Sequence, residues 1–329
     1  MKHITIGFSI HRPEIIPPTA DLMRRHEVIF MEEPSTPGFR RMLQGTLSID
    51  DYLLPVDVEY PEFSRRICRL LRELYQKGKK IIQIEPFLEN LLDIHDFFSQ
   101  GHSPGELKPE SIQYQVYLAE REATKALIDY YETVMSAPFE VTVKAIIGFA
   151  RYDAARFRLR DALRARALAR HIKKYTSVFI EAGTIHYSLW QMLRQRLPKQ
   201  DQVKPVFIPH KALRALGKKG HLYGPGDRLT LTYIFHPNIK STPQQELLAA
   251  RSLIYTKLIE KEELSTDCKT FPHIRNELAC IRTANLLNWS DCDRLFALIR
   301  RVKTANARQI VNDYLIRFKK IPRKELNAF

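Results

Sequence analysis

The chain is poor in the residues that mark several common protein classes. Its four cysteines, Cys68, Cys268, Cys280 and Cys292, form no Cys-x-x-Cys pair and no metal-finger spacing, which excludes a zinc finger or a disulfide scaffold as the organising principle. Free thiols in a reducing compartment are expected instead. No apolar run approaches the roughly 18 residues of a membrane span. The opening MKHITIGFSIH runs directly into alternating strand-like residues, without the apolar region of a signal peptide. A soluble cytoplasmic protein with no membrane span is the expectation. Glycines number only 12, and none of them builds a phosphate loop or a dinucleotide fingerprint. An HExxH helix and a nucleophile elbow are missing too, so kinase, serine-hydrolase and simple Rossmann chemistry are disfavoured.

With 329 residues, 44% of them hydrophobic, the chain can bury a large core, either as one α/β domain with an appendage or as two domains. Lysine and arginine number 52 against 37 acidic residues, a net charge of +15. That excess is spread along the chain without a basic tail, so it reads as a solvated basic surface and a nucleic-acid partner is disfavoured.

HITIGFSI (3–10) is rich in β-branched residues, and EVIFME (27–32) follows after Pro17, Pro18 and a helical stretch from about Thr19 to His26, a strand, helix, strand unit. KKIIQIE (79–85) is a third apolar run. It is preceded by a helical stripe of Phe63, Ile67, Leu70, Leu71 and Leu74 over 61–76, which stops at the capping glycine Gly78. Strands alternating with helices imply a largely parallel sheet. From Ile112 the positions Val116, Ala119, Ala123, Leu127, Tyr130 and Val134 recur at helical steps over roughly 25 residues. Pro138 interrupts, and one or two further helices follow. SVFIEAG (177–183) is the fourth strand, Leu189, Leu193 and Leu197 stripe the next helix, and KPVFI (204–208) is the fifth strand. Glycine and proline concentrate over 210–242, where only LTLTYIF (229–235) reads as a strand. Thr242, Pro243 and Gln245 then open a helix as a capping box. The expected architecture is an α/β core over 1–240, a mostly parallel central sheet flanked by helices with a helical insertion at about 87–150, followed by a helical C-terminal region over 241–329.

In an open parallel sheet ligands gather at the carboxyl ends of the strands, and EAGTIHYSLWQML (181–193) sits at such an end. Gly183 permits a sharp turn, and Thr184 is placed to cap the next helix. His186 then falls in the first turn, where the helix end favours a neutral ring with a free lone pair. The first strand ends at His11, the second at Glu32 and Glu33, the third at Glu85, and the fourth carries Glu181. By two-residue alternation Val28, Phe30 and Glu32 share one face, and Ile29, Met31 and Glu33 the other. Either these strand ends surface into solvent or their polar residues converge on one rim. The basic helix adds Arg156, Arg160 and Arg164 on one side, with Asp161 able to pair with Arg158 or Arg164. Most of its arginines read as a solvated face; one that reached the strand ends would hold an anionic substrate or a developing oxyanion. His95, His102, His210, His221 and His236 have no partner at ligand spacing.

At these residues the chain resembles the TraB, TIKI, ChaN and erythromycin-esterase superfamily, in which two glycine-histidine motifs and a glutamate lie at strand ends of an α/β core. IGFSIHRPE is similar to the first histidine motif, although Gly7 stands four residues before His11 rather than three. Glu32 in HEVIFMEEP falls on the superfamily's glutamate. Glu85 in GKKIIQIEPFLENLL stands where an acidic residue is usual. Arg160 and Asp161 match a basic-polar pair on its helix, and Gly183 with His186 match the second motif. The likeness covers about residues 1–210. It implies a hydrolase of peptide, amide or ester bonds acting on a small molecule or peptide. His11, Glu32 and His186 would hold a divalent metal (zinc, manganese, cobalt or iron) or frame a water directly. Glu181 or Glu85 would serve as outer carboxylate or general base, and Arg160 would steady charge on the attacked carbonyl. Two other readings stay open: a haem-binding protein, with His186 or Tyr187 as axial ligand and Trp190 beside the ring, and a non-catalytic interaction protein of the same fold.

Overall fold

The computed structural model describes residues 1–56, 58–264 and 270–322. Cys268 lies outside them; Cys68, Cys280 and Cys292 are free and buried. The chain forms two compact units.

The first unit is built from Met1–Leu118 and Phe157–His221. Five strands, β1 (His3–Ser9), β2 (Val28–Met31), β3 (Lys80–Gln83), β4 (Ser177–Gly183) and β5 (Gln202–Phe207), form one sheet in the order β3-β2-β4-β1-β5. Every pairing is parallel. Strands covered on both faces read as near-continuous apolar runs rather than alternating ones, as Val178, Phe179, Ile180 and Ala182 do in β4, all of them fully buried. On one face Ile4, Ile6, Phe8, Val28, Phe30, Val178 and Ile180 pack with Ala165, Leu168, Leu189 and Leu193 from two helices, Phe139–His171 and Tyr187–Arg196. The α/β class and the mostly parallel sheet agree with the sequence pattern.

Helix ends follow the local chemistry. Pro17 and Pro18 sit in the first turn of helix Ile16–Met23, where a missing N–H costs nothing. The 61–76 stripe is one helix, Pro61–Gln76, ended by Gly78 at φ +83°. Helix Ile112–Ser136 is followed, after Ala137 and Pro138, by a single 33-residue helix, Phe139–His171.

The second unit takes Ala119–Arg156, Leu222–Leu264 and the described residues from Phe271 onward. The division therefore does not fall near 241. Residues 119–156 belong with the C-terminal helices, through contacts such as Phe139 against Trp289 and Phe296 and the Arg300 hydrogen bond to the Ala137 carbonyl. Helices Pro243–Leu258, Pro272–Asn285, Trp289–Ile299 and Thr304–Lys319 make up the helical C-terminal region. The first opens as foreseen, with the Thr242 N–H donating to Gln245 Oε1 at 3.0 Å. LTLTYIF is not a strand. It lies in helix Pro225–Phe235, where Leu229, Thr230, Tyr233 and Ile234 are buried at helical spacing and the Gly224 N–H donates to Asp227 at 2.9 Å. Capping and burial at steps of three and four override the β-propensity of that heptapeptide. No described helix is long and apolar enough to cross a membrane.

Two glycines near the sheet's carboxyl edge have different reasons to be there. A Cβ on Gly7 would lie 2.4 Å from Cζ of the fully buried Phe179. Gly183 has ordinary extended angles, φ −63° and ψ 152°, and a Cβ there would meet nothing closer than His186 Cδ2 at 3.5 Å. The turn at Gly183 thus needs no special backbone freedom. Gly7→Ala is expected to destabilise the fold by about 1–3 kcal/mol through overpacking, and Gly183→Ala to change stability by less than about 1 kcal/mol. Urea unfolding of both variants checks the contrast.

Candidate active site

The connection from β1 to β2 passes to one side of the sheet's centre and that from β4 to β5 to the other, so the switch point lies between β1 and β4. Register places Ser9 opposite Gly183 and Gly7 opposite Glu181 there. His11 follows the end of β1, Glu32 the end of β2, Glu85 the end of β3, and His186 the end of β4. The convergence on one rim is the arrangement found.

Glu32 is the centre of it. Its Oε2 accepts the Gly183 N–H at 2.6 Å. Its Oε1 lies 2.9 Å from His186 Nε2 and 3.4 Å from both Arg160 Nη2 and Arg164 Nη1. Glu85, fully buried, sits 3.3 Å from Arg160 Nε and 3.7 Å from Arg164 Nε. Arg164 is completely buried and also donates to the carbonyls of Ile84 at 3.0 Å and Glu181 at 2.7 Å. The sequence pattern makes most arginines of this helix a solvated face and does not single out Arg164. Its spacing of four from Arg160, with buried Ala165 and Leu168 beside it, was the available signal. Asp161 turns to other partners than the arginines foreseen: its Oδ1 is 2.6 Å from His186 Nδ1, and its Oδ2 accepts the Ser188 hydroxyl. Arg156 binds Glu120 and Asp153 within the second unit.

His186 is therefore not a neutral ring at a helix end. Burial favours the neutral form, but Glu32 and Asp161 outweigh it and raise the pKa to about 9. The magnitudes decide this: a helix terminus contributes about 0.3–1 kcal/mol, against about 4 kcal/mol for unit charges 4 Å apart at an effective dielectric of 20. His186, not Thr184, stands at the N-cap position of helix Tyr187–Arg196, after a short turn over Thr184–His186. Burial opposes the Glu32 charge too, but His186 and Arg164 hold its carboxyl well below the usual range. Glu85, buried beside the already paired Glu32, is pushed upward despite its two arginines.

His11 is the other imidazole, and it is exposed. Its side chain is 53% accessible, with Nε2 3.9 Å from Glu181 Oε1 and its ring stacked on Phe63 at 5.1 Å. Glu181 is fixed by the Ser9 hydroxyl at 3.3 Å and the Glu32 N–H at 3.1 Å. Partial desolvation by the groups around the ring opposes its charge, yet Glu181, Glu32 and Glu33 raise the His11 pKa above 6.5. Beside it opens a cavity of about 320 Å³ whose lining includes Ser9, His11, Glu32, Glu33, Phe63 and Glu181. His186, Glu85 and Arg160 are not among the lining residues.

The donors do not fit a resident metal. His186 already faces a carboxylate with each ring nitrogen, Glu32 balances two arginines and an imidazolium, and among the described residues no group of three or more His, Cys, Asp or Glu could hold an ion. A haem iron finds no free nitrogen on His186 either. Tyr187 packs against Phe8, Phe207 and Trp190, and the Trp190 N–H donates to the Val203 carbonyl. The Arg160 guanidinium is held between Glu32 and Glu85 rather than offered to a carbonyl in the cavity.

An uncharacterised protein of Archaeoglobus fulgidus is 30% identical over 272 residues, covering 82% of this chain and 89% of its own length. The chain belongs to that protein's family. No protein-family model matches it. No solved structure matches it.

Glu32→Gln strips the counter-charge from the buried Arg164, the half-buried Arg160 and His186, and should cost about 3–5 kcal/mol in urea unfolding. Because folding raises the His186 pKa, its contribution is complete below pH 6.5 and is lost as pH climbs through about 9. Imidazole nitrogen NMR should find His186 still doubly protonated at about pH 8 and titrating at lower pH in Asp161→Asn.

Proposed function

We propose that the protein is a hydrolase of ester, amide or peptide bonds, acting in the cavity beside His11 and built on a core similar to the TraB, TIKI, ChaN and erythromycin-esterase superfamily. The observation that carries the reading is an accessible imidazole lining a cavity, 3.9 Å from a carboxylate that is itself fixed by two hydrogen bonds. Its position at the sheet's switch point adds support.

In this mechanism a water in the cavity gives a proton to neutral His11, and its oxygen adds to the substrate carbonyl carbon as the C=O π pair moves to oxygen. Collapse of the tetrahedral species restores C=O and breaks the bond to the leaving alkoxide or amine. That group takes the proton from the His11 imidazolium, which regenerates the base. Glu181 steadies the imidazolium while it exists. His186 acts at one remove: its ion pair with Glu32 positions the Glu32 N–H that holds Glu181. No step is routed through a metal, since the donor set does not fit one.

His11→Ala should lower kcat/KM on p-nitrophenyl esters or peptide p-nitroanilides by about 10²–10⁴-fold with the melting temperature unchanged. Full turnover would remove the proposal. The base must be neutral and its pKa lies above 6.5, so kcat/KM rises with pH through that value. Glu181→Gln should move the inflection to lower pH, as a stopped-flow pH profile would show.

A further inference from the structure

The chain carries +15 overall, yet the described residues lining the cavity include Glu32, Glu33, Glu59, Glu181 and one histidine, and no lysine or arginine. These carboxylates are not equivalent. Glu32 is balanced by Arg160, Arg164 and His186. Glu181 accepts two hydrogen bonds and faces His11. Glu59 accepts from the Tyr60 hydroxyl and is exposed to water. Glu33 is different: its hydrogen bond is to a neutral amide, Gln83 Nε2 at 2.9 Å, no lysine or arginine among the described residues acts on it, and the cation that does, His11, is held by Glu181.

That amide is held in place. Gln83 Oε1 accepts the Thr36 N–H at 3.1 Å, and Nε2 lies 2.9 Å from Thr36 Oγ1 and 3.4 Å from the Tyr52 hydroxyl. The carboxylate is thus oriented but not neutralised. Around it Ile15, Met31, Val56, Val58 and Ile67 give the cavity an apolar wall. A charge pair in such surroundings is stronger than in water, and an anionic ligand would find no lysine or arginine in the lining to pair with. Burial and the nearby Glu181 raise the Glu33 pKa, which a cation at the carboxylate would reverse.

We infer that the cavity selects substrates carrying a cationic nitrogen on an apolar body, an alkyl- or arylalkylammonium, and that Glu33 is the specificity-determining residue that pairs with it. This rests on the reading of the cavity as the substrate site. Glu33 acts by binding and takes no part in proton transfer.

Isothermal titration of the full-length protein with benzylammonium and with its neutral near-isostere benzyl alcohol tests the inference. The wild-type protein should bind the ammonium at least about ten-fold more tightly. In Glu33→Gln the two affinities should converge to within about two-fold, with circular dichroism and melting temperature as in the wild type. Equal affinities in the wild type, no binding of either compound, or a preference that survives Glu33→Gln would overturn it. The wild-type ratio decides the matter even where the variant does not fold. An ammonium preference in a protein that hydrolyses nothing supports the inference and removes the hydrolase; hydrolysis of neutral esters without that preference does the reverse.

Discussion

The Glu32 carboxylate joins pieces of chain that are far apart in sequence. One oxygen receives the Gly183 N–H at the end of β4, the other faces His186 and the guanidiniums of Arg160 and Arg164 from the long helix. A carboxylate buried without such partners would cost several kcal/mol in desolvation, and the same holds for each guanidinium. None of these groups can be placed alone. The β2 end, the β4 end and the helix are therefore held in one mutual geometry by charge satisfaction, while the apolar faces of the sheet supply most of the driving force for burial.

The two histidines show how environment separates residues of one type. His186 lies between two carboxylates in a dry interior and is a permanent cation near neutral pH, a structural charge that completes the ion network. His11 faces a single carboxylate at the cavity's edge and remains accessible. A proton can arrive at or leave His11 with little rearrangement, whereas moving one from His186 would leave Glu32 and Asp161 facing each other across a neutral ring. The ring that sits in the more conspicuous motif is the less suited of the two to acid-base work.

Charge is distributed with the same economy. No lysine or arginine is among the lining residues: Arg160 and Arg164 are turned inward on Glu32 and Glu85, and Arg12 stacks on the Tyr60 ring. That leaves the cavity acidic inside a basic protein, with Glu33 hydrogen-bonded to a neutral amide and met by no lysine or arginine among the described residues, only by the charge of His11. Strand alternation contributes to this difference: Glu33 follows Met31, a cavity-lining residue, whereas Glu32 follows Phe30, which packs in the core with the long helix, and meets the arginines of that helix.

What the amino-acid order determined by itself was the parallel α/β sheet, most helix limits and the placing of His11, Glu32, Glu85, Glu181 and His186 at strand ends, because periodicity, capping and turn chemistry act over a few residues; whether those ends converge or surface into solvent it left open. Even there LTLTYIF misleads, since its burial at helical spacing depends on what packs around it. The tertiary structure alone decided which partners those polar groups take. Asp161 turns to His186 and Ser188, Arg164 is buried, and residues 119–156 join the C-terminal helices. Coulombic pairing and desolvation depend on distances of a few ångströms between residues up to about 150 positions apart, and no local pattern in the chain encodes them.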